Sequence, residues 1–97
     1  MPADPAAVAA LESYDQALAK KPHADGHLFS ETTRHLCQFR TQLTQRYHAG
    51  AASRQSLEHL NSVISVVLAG HFPLGEIPWP ELEKARTWLA ELVAKPA

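Results

Sequence analysis

The sequence predicts an all-α protein: a small antiparallel bundle of four helices with short loops, including an aromatic and proline-rich loop before the last helix. Apolar residues recur at helical spacing in four separate segments, and capping residues, glycine or proline bound these segments. No window shows sustained alternation of apolar and polar residues. The chain has 97 residues, 45% of them hydrophobic, which fits one helical domain over residues 1–97.

The first helix is predicted over residues 5–21. Asp4 is a typical N-cap residue, and Pro5 suits the first helical position because its missing N–H would have no partner there. The expected apolar stripe consists of Val8, Leu11, Tyr14 and Leu18. Alanine fills much of the rest. Because alanine buries little area, we expect this helix to dock more weakly than the others.

The second helix is predicted over residues 28–48, after a connection that contains Pro22 and Gly26. Gly50 offers a C-terminal cap. The stripe of this helix is the clearest in the chain and comprises Phe29, Leu36, Phe39, Leu43 and Tyr47. The sequence therefore predicts a strongly amphipathic second helix.

The third helix is predicted over residues 54–69, with Ser53 as its N-cap. Its broad apolar face comprises Leu57, Leu60, Val63, Ile64, Val67 and Leu68. The reverse side carries Ser62, Ser65, Val66 and Ala69, which are small enough to let another helix approach closely. We therefore expect this helix to make contacts on two sides.

The fourth helix is predicted over residues 80–95 and opens with a proline followed by an acidic residue in the first turn. Its stripe comprises Leu82, Ala85, Trp88, Leu89, Leu92 and Val93. The preceding segment, residues 70–78, is expected to be a loop because glycine and proline lie near both of its ends.

Composition excludes several classes of function. Nine basic and ten acidic residues give a formal net charge of −1, and Arg34, Arg40 and Arg46 would point to three sides of one helix, so no basic patch favours nucleic acid. The longest apolar run is far shorter than the roughly 20 residues of a membrane span. A single cysteine excludes a disulfide framework within the chain. Since the first residues lack the segments of a secretory signal, we expect a cytoplasmic protein. The charge distribution and the short apolar runs predict neither a nucleic-acid partner nor a membrane partner.

Histidine is abundant for a chain of this length, with six residues. Four residues are spaced like ligands along one helical face: His23, His27, Glu31 and His35. Pro22 and Gly26 interrupt this spacing, so His23 and His27 are expected in a flexible connection rather than on successive turns. The number of histidines and their spacing around Glu31 still favour an alternative function, a bundle that binds a metal or a small ligand through histidines.

Catalysis is not expected. Cys37 and His35 are two residues apart, so on a helix they point about 200° away from each other. The chain also lacks a phosphate-binding loop, a zinc-protease motif and a nucleophile elbow. We therefore expect neither an enzymatic reaction nor a cofactor.

What remains is surplus apolar surface, which favours a protein that acts through protein contacts as an adaptor, a regulator or a homodimerising module. The candidate partner-binding residues are Phe72, Leu74, Ile77, Trp79, Trp88, Ser62, Ser65 and Ala69. The expected partner is another protein or a second copy of the chain. The alternative is that the loop residues, such as Phe72 and Trp79, fold over one end of the bundle as a lid.

Overall fold

The computed structural model describes residues 4–94. They form four α-helices: α1 (Pro5–Ala19), α2 (Gly26–His48), α3 (Arg54–His71) and α4 (Trp79–Ala94). Each helix packs against two neighbours, α1 and α3 each lying between α2 and α4. Consecutive helices run in opposite directions and close into a ring, which confirms the predicted small four-helix bundle.

The core fills the centre of this ring. Each helix contributes residues that are almost fully buried, and large aliphatic side chains come mostly from α2, α3 and α4. The largest fully buried side chains include Tyr14, Leu36, Leu43, Leu60, Leu82 and Leu89. The predicted stripes of α2, α3 and α4 thus largely face inward. Tyr47 and Leu68 are the exceptions, since each is 38% exposed.

The first helix is rotated relative to the predicted stripe, of which Tyr14 alone is fully buried. Its buried residues are Ala7, Ala10, Tyr14 and Ala17, whereas Val8 is exposed and Leu11 and Leu18 are only partly buried. Helix α1 packs most extensively against α2, and a row of alanines permits close packing where branched side chains would hold the helices apart. The larger aliphatic residues therefore flank the contact.

Three predicted caps are present. The Asp4 carboxylate accepts from the Ala6 amide at 2.8 Å, and the Ser53 hydroxyl accepts from the Ser56 amide at 3.1 Å. Gly50 has a φ of 77°, which a side chain would make costly, and lets the following amide reach back to the Arg46 carbonyl at 2.7 Å. These contacts satisfy backbone groups that the helix ends leave without partners.

Helix α2 begins two residues before the predicted position. The Asp25 carboxylate accepts from the Leu28 amide at 3.1 Å, so Asp25 acts as an N-cap and Gly26 is the first helical residue. His27 consequently lies on the helix rather than in the connection, where the sequence placed it. His23 does lie in the connection.

Helix α3 continues through Gly70 to His71, two residues past the predicted end. Gly70 is buried, and a Cβ there would come within 3.1 Å of a Leu82 methyl carbon and 3.3 Å of the Phe29 ring. The glycine therefore permits close packing inside the bundle instead of ending the helix. Helix α4 begins at Trp79, one residue early, and the predicted end at Lys95 lies outside the described residues.

Polar contacts join helices that are distant in sequence. Asp4 accepts from the Arg46 guanidinium at 2.7 Å, and Asp15 accepts from the Arg86 guanidinium at 2.8 and 3.0 Å. The Tyr14 hydroxyl donates to the Leu82 carbonyl oxygen within the core. These contacts fix α1 against both of its neighbours. Within residues 4–94, no helix combines the length and the apolarity that a membrane crossing requires.

Candidate functional site

The outward side of α3 is the part of the bundle that best fits a binding surface. We define the α3 outer face as Ser62, Ser65, Leu68, Ala69 and Phe72, all of which are exposed. The side opposite to this face carries the buried residues of α3, so the helix is apolar inward and small or apolar outward. The predicted second side of this helix is therefore open to solvent.

This surface carries no formal charge. From His59 to Gly75 the sequence contains no Asp, Glu, Lys or Arg. The Ser62 hydroxyl donates to the Glu58 carbonyl at 3.1 Å, so its one donor is already used within the helix. A partner that covers this face therefore removes no charged group from water, and desolvating the face costs little.

Polar pairs border the α3 outer face. Arg54 lies 3.3 Å from Glu58 one turn before the uncharged stretch, and Arg40 of α2 donates to the Asn61 amide oxygen at 3.4 Å. Interface centres are depleted of charged residues and enriched in aromatic ones, and their rims are polar. The α3 outer face matches the absence of charge and the polar rim, while Phe72 is its one aromatic residue.

The connection between α3 and α4 divides into an outer and an inner part. Phe72 is 68% exposed and Leu74 is fully exposed, while Ile77 and Trp79 are half-buried and pack against the core. The Trp79 ring lies 6.3 Å from the Phe29 ring, centroid to centroid. The sequence allows this segment to be either a lid over the bundle or a partner surface. The geometry fits the lid at Trp79 and leaves Phe72 and Leu74 uncovered.

His71 links these two parts, a role that the sequence did not indicate. Its ring centroid lies 6.4 Å from that of Phe29 and 4.1 Å from that of Phe72. Phe72 therefore rests on an aromatic neighbour that is itself anchored to the core. The spacing could have revealed the link, since His71 lies four residues after Val67 and continues the buried side of α3.

Trp88 is separate from the α3 outer face. It lies on α4, is half-buried, packs against the core, and carries the Lys84 ammonium 5.5 Å from its ring centroid. Among the predicted partner-binding residues, the structure thus brings Ser62, Ser65 and Ala69 onto one side of α3, and Phe72 caps the C-terminal end of that helix. Leu74 lies in the connection directly after it.

The predicted metal ligands are spread along the chain. His27, Glu31 and His35 occupy α2 at intervals of four, so the two histidines are separated by about 12 Å along the axis. A zinc–nitrogen bond is only about 2 Å long, so a single ion cannot be shared by both histidines. Within residues 4–94, no group of three or more His, Cys, Asp and Glu side chains is arranged to hold a metal.

Glu31 already has a cationic partner. The Arg34 guanidinium donates to its carboxylate at 2.6 Å, and this hydrogen bond lowers the pKa of Glu31. His35 approaches the same carboxylate, with 3.7 Å between Nε2 and the oxygen, while its Nδ1 is buried without a hydrogen-bond partner among residues 4–94. A metal at Glu31 would have to compete with Arg34 for the carboxylate.

Cys37 is a free, half-buried thiol one turn from the Thr41 hydroxyl, which donates to the Cys37 carbonyl at 3.1 Å. This hydrogen bond involves the backbone of Cys37 and leaves the thiol uninvolved.

Comparison with family models, with curated proteins and with solved structures gives no match.

Proposed function

We propose that the protein acts through protein–protein contacts, without chemistry of its own, and that its binding surface is the α3 outer face together with Leu74. One observation carries the proposal: the most exposed large apolar side chains of the described chain, Phe72 and Leu74, lie within its longest stretch without Asp, Glu, Lys or Arg. Exposed apolar residues are common singly, but a contiguous patch of them marks interaction sites.

The neighbouring packing explains why this surface is suited to binding. The interior beneath it is fully formed, since Leu60, Val63 and Val67 are buried within the bundle. Phe72 and Leu74 therefore contribute little to the core, and burying them in a partner adds stabilisation that folding does not use. At roughly 25 cal/mol per Å² of apolar area, one large aromatic side chain is worth a few kcal/mol at an interface.

Photo-crosslinking in cells tests the proposal. Phe72 is replaced by the photoreactive residue p-benzoylphenylalanine, and the same replacement at Tyr47 is the matched control. Tyr47 is also an exposed aromatic residue, but it lies near the opposite end of the bundle. We expect position 72, and not position 47, to form discrete covalent protein adducts, whose peptides mass spectrometry then identifies.

A Ser65→Arg substitution in the crosslinking protein is the second arm. It places a long cation at the centre of the α3 outer face and should abolish the adducts while leaving the melting temperature unchanged. Absence of adducts from position 72, or adducts that persist equally with Ser65→Arg, would contradict the proposed function.

A further inference from the structure

The seam between α1 and α4, which closes the ring, differs from the other three helix–helix contacts. It is the least extensive of the four, and the contact between α1 and α2 is the most extensive. Opening a ring at one seam breaks one contact, whereas detaching a single helix breaks two. Because local opening is easiest where the least packing is lost, the α1–α4 seam is the place at which this ring would open first.

Apolar packing covers this seam incompletely. Leu11 and Leu18 lie three residues before and four residues after Tyr14, so they share the side of α1 that faces α4, and both are only partly buried. Val93 lies seven residues after Arg86, on the side of α4 that faces α1, and is also half-buried. Since these side chains already contact solvent, separating the two helices loses less apolar burial than separating fully buried surfaces would.

Polar contacts hold the seam together. We define the clasp as the three side-chain contacts that cross it, namely Asp15 with Arg86 at 2.8 and 3.0 Å, Lys21 with Glu83 at 2.8 Å, and the Tyr14 hydroxyl with the Leu82 carbonyl oxygen. In the described part of the chain, α2 and α3 are joined by one such contact, between Arg40 and Asn61. Both ion pairs of the clasp are solvent-exposed, so each stabilises the closed ring only weakly.

Within each half of the bundle the helices are joined more firmly. In the first half, α1 and α2 share the most extensive contact, and Arg46 donates to the largely buried Asp4 carboxylate at 2.7 Å. In the second half, Leu82 of α4 packs so closely on Gly70 of α3 that a Cβ there would come within 3.1 Å of its methyl carbon. The helices α1 and α2 therefore form one hairpin, and α3 and α4 form another.

We infer that the described bundle is the closed state of two hairpins that separate along the α1–α4 seam while α2 and α3 stay in contact. The stacked rings of Phe29 and His71, 6.4 Å apart, help to keep α2 against α3. The connection between these helices, residues 49–53, contains Gly50 at a φ of 77° and can absorb a change of backbone angles at the end of an element. The inference goes beyond the proposed function, because the seam and the α3 outer face involve different helices.

The clasp makes this opening sensitive to charge. Salt weakens exposed ion pairs, so it removes part of what holds the seam closed. A charged group that binds Arg86 in place of Asp15 favours the open state, since a ligand shifts an equilibrium towards the state that it binds better. In the open state, the side of α1 that carries Tyr14 becomes accessible together with the inner side of α4.

Thiol labelling of the full chain tests the opening. In a Cys37→Ser background, Ala7→Cys places a thiol seven residues before Tyr14, on the side of α1 that faces α4. Ala17→Cys is the matched control, because position 17 points about 200° away from Asp15 and thus away from α4. Both alanines are almost fully buried. Iodoacetamide should modify the thiol at position 7 at least about tenfold faster, with a weaker dependence on urea than global unfolding has.

The clasp is tested by Arg86→Gln in both labelled proteins. Losing this ion pair should accelerate labelling at position 7 about two- to fivefold and leave position 17 unchanged. Arg34→Gln is the matched control, because it removes an exposed ion pair that lies within α2. It should change neither rate. Circular dichroism melting verifies that each variant is folded.

Nitration by tetranitromethane gives a second readout that needs no new cysteine. The chain has two tyrosines: Tyr14 is buried at the seam, and Tyr47 is exposed near the end of α2. In the Cys37→Ser protein, Arg86→Gln should accelerate nitration of Tyr14 about two- to fivefold without affecting Tyr47. Mass spectrometry of peptides measures the two sites separately.

Three results would overturn the inference. Equal labelling at positions 7 and 17 with the urea dependence of global unfolding would show that the ring opens only when the protein unfolds. Equal labelling with a weak urea dependence would show that α1 detaches from α2 as well. Rates at position 7 and at Tyr14 that Arg86→Gln leaves unchanged would show that the clasp does not control access to the seam.

Discussion

Helices α1 and α3 place their small residues on opposite sides. In α1 the alanines Ala7, Ala10 and Ala17 face inward, and the helix packs most extensively against α2. In α3 the large aliphatic residues face inward, and Ser62, Ser65 and Ala69 face solvent. Small residues thus mark close helix approach in α1, where the neighbours are present. The same kind of stripe on α3 is exposed in the described bundle, which is why we propose that side of α3 as a binding surface.

The largest expected effect separates the two sides of α3. Leu60→Ala removes a fully buried side chain and should lower the free energy of unfolding by about 2–5 kcal/mol. Leu68→Ala on the same helix is the matched control, and its cost should be well under half of this because Leu68 is 38% exposed. Chemical denaturation at low protein concentration measures both. Equal losses would show that the outward side of α3 is not free in the monomer.

The second-largest loss of stability is expected when a residue in the buried alanine row of α1 is enlarged. Ala10 is completely buried, so Ala10→Leu forces additional methyl groups between helices and should cost about 1–3 kcal/mol. Ala69→Leu makes the same change on the outward side of α3 and should cost less than about 0.5 kcal/mol in the monomer. If Ala10→Leu stabilises the protein, the close approach assigned to the α1 alanines is incorrect.

The Tyr14 hydroxyl, which links α1 to α4, should contribute less to the free energy of unfolding. Tyr14→Phe keeps the ring but removes the donor to the Leu82 carbonyl, which should cost about 1 kcal/mol at neutral pH. Burial raises the pKa of Tyr14 above its ordinary value, so the folded state holds this proton more tightly than the unfolded state. The resulting stabilisation is complete below about pH 10 and declines above it. The free energy of unfolding, measured by denaturation at a series of alkaline pH values, should therefore decrease more steeply with pH for the unmodified protein than for Tyr14→Phe.

The smallest effect is expected at the outer face itself. Ser62→Ala removes a hydroxyl that bonds only its own helix, and the stability of the monomer should change by less than about 0.5 kcal/mol. Thermal melting of dilute protein is the measurement. A loss above about 1 kcal/mol would mean that Ser62 supports the fold, and the contrast between the two helices would weaken.

Periodicity and caps predicted the four helices, because apolar spacing and residues such as Asp4 and Ser53 act locally. The inward side of α1 was predicted incorrectly, since hydrophobicity favours Val8 and Leu11 over alanine, whereas close packing favours alanine. Gly70 was misread for a related reason. Glycine commonly ends a helix, so the sequence alone favours a helix end at Gly70. Only the positions of Phe29 and Leu82 show that this glycine permits close packing of side chains against the α3 backbone.

The candidate surface was predicted in part. The sequence identified the small residues of α3 and the apolar loop, but it grouped them with Trp79 and Trp88, which pack against the core. Half-burial of a tryptophan depends on neighbours distant in sequence. Similarly, the ion pair between Asp4 and Arg46 joins residues 42 positions apart, and no local pattern predicts such a contact.

The closed ring also settles where the ends of the described chain lie. Because α1 and α4 are adjacent and antiparallel, Asp4 and Ala94 lie at the same end of the bundle, and Phe72 and Leu74 lie at the other. A short designed linker could join the two ends, and new termini could then be opened in the exposed segment 73–76. Such a circularly permuted chain would keep every helix contact, because the new linker and the new termini both lie outside the four helices.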